Sequence, residues 1–235
     1  MSGVGTEETA KQQVAPAPWS LTGSGYIVLM RLPPRSLRSE PCTPADLTDR
    51  LVPGLSLMMF VDYRNSPVGP YRELLFIPGR FRIDGSKHWS ITRIVVDSAQ
   101  SVVSGRANWG IPKEQARIDI ERQPDGTEWI EVSQDGRRMA ELVFDTAGPT
   151  LPVDGAIIPR RLRSMSQFRD GTRYSFSPDA SGPVSYARLR AIRTDHERFP
   201  EIRTSNVVMA LRAPRFELTF PVAQTEDDRV PPAGR

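Results

Sequence analysis

The sequence predicts an α+β fold that is mainly antiparallel β, and three observations carry that expectation. Short runs rich in β-branched and aromatic residues recur through the interior, from GYIVLMRL and LSLMMFVDY to RMAELVFD and FELTFPV. Several alternate at period two, as where Ile118 and Ile120 are set against Arg117, Asp119 and Glu121, the pattern of strands buried on one face. Asp-Gly pairs in RQPDGTEW and SQDGRR separate consecutive runs, as tight antiparallel hairpins require.

Two segments interrupt the β pattern. In CTPADLTDRLVPG, Thr43 is placed to cap a helix with Pro44 at its first position, and Leu47 and Leu51 share a face until Pro53 and Gly54 end it. In DSAQSVVSGRANWG, Asp97 and Gln100 have capping-box spacing, and Gly110 and Pro112 close the helix. Lys113 therefore begins an extended segment that Pro112 stiffens. Residues 1–18 and 223–235 are small, polar and proline-bearing and read as flexible tails around one domain over residues 19–222.

Composition narrows the function classes. An apolar fraction of 38% suffices for a buried core. The net charge of +3 comes from mixed signs without a basic stripe among aromatics, so no nucleic-acid partner is expected. Cys42 is the single cysteine and His88 and His196 are the two histidines, so neither a disulfide nor a metal site is expected, and no cofactor. His196, in RTDHERF, reads as a surface residue. No leader pattern opens the chain and no apolar run approaches the roughly eighteen residues of a membrane span. A soluble cytoplasmic protein without a membrane partner is the expectation.

The chemistry points to one lysine. Of 31 basic residues only Lys11, Lys87 and Lys113 are lysines. Arginine stays protonated in proteins, whereas a desolvated lysine amine can lose its proton and attack a carbonyl to form a Schiff base. Lys11 lies in a tail and Lys87 in a polar turn. Lys113 follows Trp109 and Ile111, which supply a setting of low polarity. In YRELLF, alternation puts Tyr71, Glu73 and Leu75 on one strand face, and a buried Glu73 would need a partner or a role.

These residues carry a family resemblance. Gly105 and Arg106, five intervening residues, then Pro112 and Lys113 reproduce the glycine-arginine to proline-lysine spacing around the reactive lysine of acetoacetate decarboxylase. VVDSAQSVVSGR is similar to the strand, aspartate and helix that lead into that pair. GPYRE resembles the family's tyrosine and glutamate segment, and ADLTDRLVPGL its early proline-ended helix. The resemblance implies a β-cone or barrel with flanking helices and an internal cavity, commonly in a homo-oligomer. It implies that Lys113 forms an imine with a small keto acid and that Glu73 acts as general acid or base. Tyr71, Arg106, Trp109 and Ile111 would then line the substrate site.

Two positions depart from the family pattern. Glu114 stands where the decarboxylase has a second lysine. A carboxylate close to Lys113 would raise its pKa, but adjacent side chains on an extended segment point to opposite faces, so the sequence leaves both outcomes open. Ser24 stands where the decarboxylase carries an arginine thought to help hold the substrate carboxylate. Arg106 could bind a carboxylate bidentately or serve a structural ion pair. Arg160, Arg161, Arg163, Arg169 and Arg173 suit a solvated sheet face or subunit contact better than an anion site. The leading reading is a Schiff-base lyase. An aldolase-dehydratase that condenses pyruvate with an aldehyde is the first alternative, and a non-catalytic small-molecule binding protein the second.

Overall fold

The computed structural model describes residues 13–39, 41–154 and 159–227. In chain order its strands are β1 (Trp19–Met30), β2 (Leu51–Val52), β3 (Ser56–Asn65), β4 (Tyr71–Ile77), β5 (Arg80–Ile83), β6 (Ser86–Trp89), β7 (Arg93–Val96) and β8 (Lys113–Gln115), then β9 (Arg117–Arg122), β10 (Glu128–Gln134), β11 (Arg137–Asp154), β12 (Met165–Arg169), β13 (Thr172–Phe176), β14 (Asp179–Thr194), β15 (Val207–Phe220) and β16 (Gln224–Asp227). The α-helices are α1 (Pro34–Leu37), α2 (Ala99–Trp109) and α3 (Arg160–Arg163).

Ten strands form one sheet in the order β8-β7-β4-β3-β1-β15-β14-β11-β10-β9, and six form a second in the order β16-β13-β12-β6-β5-β2. The pairings are antiparallel except β7 with β8 and a single β6 to β12 contact. The expected mainly antiparallel class is therefore what the chain adopts. The large sheet is not closed into a barrel: β8 and β9 stand at opposite edges although they are consecutive in the chain. The turn at Asp135 and Gly136 has φ of 52° and 73°, the left-handed pair a two-residue hairpin favours.

Both faces of the middle of this sheet are buried. Tyr26, Val28, Phe60, Leu74, Phe76 and Val95 lie in one core, and Val61, Tyr63, Tyr71, Leu75, Ile94 and Val96 in the other. Toward β9 and β10 one face only is buried: Ile118, Ile130 and Val132 point inward while Arg117, Asp119 and Trp129 are exposed. The second core, between the large sheet and α2, positions the site. No helix among the described residues is long and apolar enough to cross a membrane.

Several local expectations change. The segment after Thr43 is a 3-10 turn over Ala45–Arg50 with Pro44 at its N-cap, and Thr43 makes no side-chain cap. Leu47 still buries, against Phe81 and Ile83, but Leu51 leaves the helix to pair with Phe81 in β2. In α2 the cap is Ser98, whose hydroxyl accepts from the Ser101 N–H at 3.2 Å, while Asp97 Oδ1 accepts from the Arg72 N–H at 2.7 Å. Two acceptors compete at the end of β7, and register gives Asp97 to the neighbouring strand. Gln100, expected to complete the capping box, instead donates to the Gln13 carbonyl.

Parts of both expected tails are ordered by specific contacts. The Ala15 N–H donates to Ser104 Oγ, and its carbonyl accepts from Asn108 Nδ2 and Trp19 Nε1, so the chain around Ala15 lies along α2. Gln224–Asp227 pairs with β13. The rest of both tails, residues 1–12 and 228–235, lies outside the described residues.

Candidate active site

The site grows from one crossover. Parallel strands cannot be joined by a hairpin, and α2 supplies the connection that carries the chain from β7 to β8. Ser98 starts the helix, and Gly110 stops it in the left-handed conformation with φ of 63°, its N–H donating to the Arg106 carbonyl. Ile111 and Pro112 turn the chain back, and Lys113 enters β8 opposite Ile94.

The glycine-arginine pair now has a physical reason. The stem of Lys113 lies across the helix at Gly105, where a Cβ would come within 2.8 Å of Lys113 Cδ. Arg106 Nε donates to the Lys113 carbonyl oxygen at 2.7 Å, tying β8 to α2. Glycine makes room for the side chain and arginine grips its backbone. Arg106, for which a carboxylate anchor or an ion pair was left open, uses its Nε to clamp a backbone carbonyl.

Lys113 is 5% exposed and Glu73 4%. Lys113 Nζ donates to Glu73 Oε2 at 3.1 Å, to Ser101 Oγ at 3.0 Å and to Tyr71 Oη at 3.4 Å, so the three N–H groups of an ammonium each face an oxygen. It also lies 5.0 Å from the centroid of the Tyr71 ring. The Tyr63 hydroxyl donates to the other oxygen of Glu73 at 2.9 Å. Tyr63 and Tyr71 are directly opposed on β3 and β4, with rings 4.7 Å apart.

Burial is the largest single influence on Lys113 and pulls its pKa down, but Glu73 and Tyr71 together outweigh it and the net direction is up. These influences favour the ammonium form of Lys113, which forms an ion pair with Glu73. Burial pushes the Tyr71 phenol up to about 12 against the pull of Lys113. Tyr63 is raised well above its ordinary value, first by burial and then by Glu73.

Glu114 faces the other way, as strand alternation allows. Its carboxylate oxygens take Arg93 Nη1 and Gln134 Nε2 on the opposite face of β8. It is therefore Glu73, and not the adjacent residue, that sets the charge state of the amine.

Of the residues expected at the site, Lys113, Glu73 and Tyr71 come together. Trp109 and Ile111 are buried at 2% each in the same core, but Trp109 acts as an aromatic wedge: its Nε1 donates to the Pro221 carbonyl at 2.7 Å, and it packs edge-on against Trp19. Ser101 and Tyr63 were not anticipated. Ser101 sits four residues before Gly105, on the helix face that meets the lysine, and Tyr63 is a cross-strand neighbour of Tyr71, so both had a spacing signal.

The other candidates lie apart. Arg160, Arg161 and Arg163 belong to α3, Arg169 pairs with Asp170, and Arg173 pairs with Asp84 and Glu226, so they share no strand face. His196 is exposed in a turn. Two cavities of ≈ 390 Å³ each lie near Arg160 and Glu217 and near Arg31 and Leu51, and Lys113 lines neither.

Comparison with known proteins follows this geometry. No curated protein matches the chain. Among solved structures, one described as acetoacetate decarboxylase superposes with a TM-score of 0.69 at 14% identity, covering 97% of each chain. The acetoacetate decarboxylase of Legionella pneumophila subsp. pneumophila str. Philadelphia 1 gives 0.66 at 14% identity, over 91% of this chain and 89% of that one. The enduracididine biosynthesis enzyme MppR, complexed with pyruvate, gives 0.63 at 15% identity over 95% of each. At these identities the structures establish a shared fold. The sequence model of acetoacetate decarboxylase (ADC) matches residues 10–219, and with the fold and the glycine-arginine, proline-lysine crossover this makes the chain a member of the acetoacetate decarboxylase family.

Proposed function

We propose that the protein is a cofactor-independent lyase that forms a Schiff base between Lys113 and a small keto acid, with Glu73 moving protons. The observation that carries this reading is the buried pair of Lys113 and Glu73 at 3.1 Å. Outside a site, two such charges are rarely taken out of water together, because desolvation opposes their attraction. Here proton transfer from the ammonium to the carboxylate converts an ion pair into a neutral amine and a neutral acid without a solvent proton. That step supplies the nucleophile in spite of the raised pKa.

The amine then adds to the ketone carbonyl to give a carbinolamine. Glu73, now protonated, gives its proton to the departing hydroxyl, water leaves, and the iminium forms beside a restored carboxylate. With a β-keto acid, the carbon to carboxylate bond breaks, carbon dioxide leaves, and the electron pair moves to the iminium nitrogen to give an enamine. Protonation at carbon and hydrolysis return the ketone and the free amine. Tyr63 and Tyr71 stay protonated at neutral pH and hold the carboxylate and the amine in register.

A second reading keeps the imine and changes the reaction to condensation of pyruvate with an aldehyde. What favours it is the departure at the place of the decarboxylase arginine, where Ser24 stands and a substrate other than acetoacetate is the simpler fit. MppR, similar in fold, has been solved with the condensation product of pyruvate and imidazole 4-carboxaldehyde.

Borohydride reduction in the presence of acetoacetate or pyruvate tests the shared step. Mass spectrometry is expected to find the adduct on Lys113 and none in Lys113→Arg, which keeps charge without a removable proton. A keto acid that binds but leaves no adduct would identify a binding protein instead. Carbon dioxide release from a β-keto acid panel, set against pyruvate and aldehyde condensation, separates the two reactions.

A further inference from the structure

We infer that Ser101 is a catalytic residue that relays a proton when Lys113 adds to the substrate carbonyl. The inference rests on the reading of Lys113 as an imine-forming nucleophile. Ser101 is fully buried, and its hydroxyl lies 3.0 Å from Lys113 Nζ, nearer than the Tyr71 hydroxyl. Its backbone N–H is already held by Ser98, so the residue is fixed at the first turn of α2 with its side chain aimed at the amine. A hydroxyl is one donor and an acceptor of two bonds, and Ser101 accepts from Lys113.

Counting protons on nitrogen shows why this placement matters. The ammonium has three N–H groups and three oxygen partners, whereas the iminium has a single N–H. The carboxylate of Glu73, as counter-charge, keeps that bond, so Ser101 and Tyr71 are released during the reaction. The carbonyl oxygen arrives one carbon away from Nζ, within reach of a hydroxyl that already touches the nitrogen.

Direct transfer of a proton from nitrogen to that oxygen would need a strained four-membered arrangement. Through Ser101 it becomes six-membered. As the carbon to nitrogen bond forms and the carbonyl π bond opens, an N–H proton passes to Ser101 Oγ while the Oγ proton passes to the substrate oxygen. Ser101 ends as it began, and the product is the neutral carbinolamine. No oxidant or co-reactant is required.

Single-turnover trapping with pyruvate and cyanoborohydride tests the relay, with pyruvate affinity and thermal melting measured in parallel. Ser101→Ala is expected to slow adduct formation about tenfold or more, with affinity little changed and melting lowered by only a few degrees, as loss of one acceptor of a buried charged donor implies. Trapping of the wild type together with an unchanged rate in Ser101→Ala overturns the relay alone. No adduct in the wild type overturns the proposed function and the relay with it. Should Ser101→Ala fail to fold, a proton inventory of wild-type adduct formation in H2O and D2O mixtures decides: a curved dependence, with two protons in flight, is expected, and a linear one overturns the relay.

Discussion

Gly105 and Lys113 are in such close contact that a Cβ on the glycine would lie 2.8 Å from Lys113 Cδ and 2.9 Å from Cε. In an ordinary helix interior, Gly→Ala is favourable by up to about 1 kcal/mol. At this position the added methyl must displace a stem whose far end is pinned by three oxygens. Gly105→Ala is expected to melt within a few degrees of the wild type, as the helix gain offsets the clash, yet to lose most borohydride adduct because Nζ moves off Glu73. Equal trapping in the two proteins would show that the stem relaxes freely.

Arg106→Ala separates a clamp from an anchor. Loss of a hydrogen bond from a charged donor to the Lys113 carbonyl should lower stability by about 1.5 kcal/mol in urea unfolding. Turnover should fall while the KM for the keto acid holds. A rise in KM alone would restore the carboxylate-binding role for Arg106.

Glu114→Gln addresses the residue beside Lys113 that departs from the family pattern. Since Glu114 pairs with Arg93 across the opposite face, its neutralisation should leave the titration and trapping of Lys113 unchanged. The partly exposed ion pair it breaks contributes about 1 kcal/mol or less. A marked change in the reactivity of Lys113 would mean that the two faces of β8 are electrostatically coupled.

Alkaline stability follows from the same cluster. Lys113, Tyr71 and Tyr63 all have folded pKa values above their ordinary ones of 10.5, 10.0 and 10.0. Above these values the folded state holds more protons than the unfolded one, so their contribution is complete below about pH 10 and is lost as pH rises. Denaturation midpoints should therefore fall from near pH 10 through about 12, the region of Tyr71. Lys113→Met combined with Glu73→Gln should show a shallower loss, and an equally steep one would exclude the buried pair as a source.

The β-rich class, the Asp-Gly turns, α2 and the extended entry to Lys113 were legible because they depend on near neighbours in the chain. Period-two alternation, a left-handed Gly110 and the stiffness of Pro112 act over a few residues each. Capping was misread at Asp97 because the carboxylate satisfies Arg72 on another strand, a competitor that no local window contains. Of the cone or barrel that the resemblance implied, the sheet is not closed into a barrel, because closure depends on whether β8 and β9 meet, which is a property of the whole sheet.

The lysine and its glycine-arginine pair could be read from the chain, since scarcity and spacing are written there. Why Gly105 is glycine, why Arg106 is arginine, and which carboxylate governs the amine were settled by packing. Glu114 is the neighbour of Lys113 in sequence, but alternation along β8 turns it away. Glu73, 40 positions distant, reaches the amine because β4 and β8 flank β7 in one sheet. Charge interacts through space and not along the chain, so the state of that amine follows from strand order.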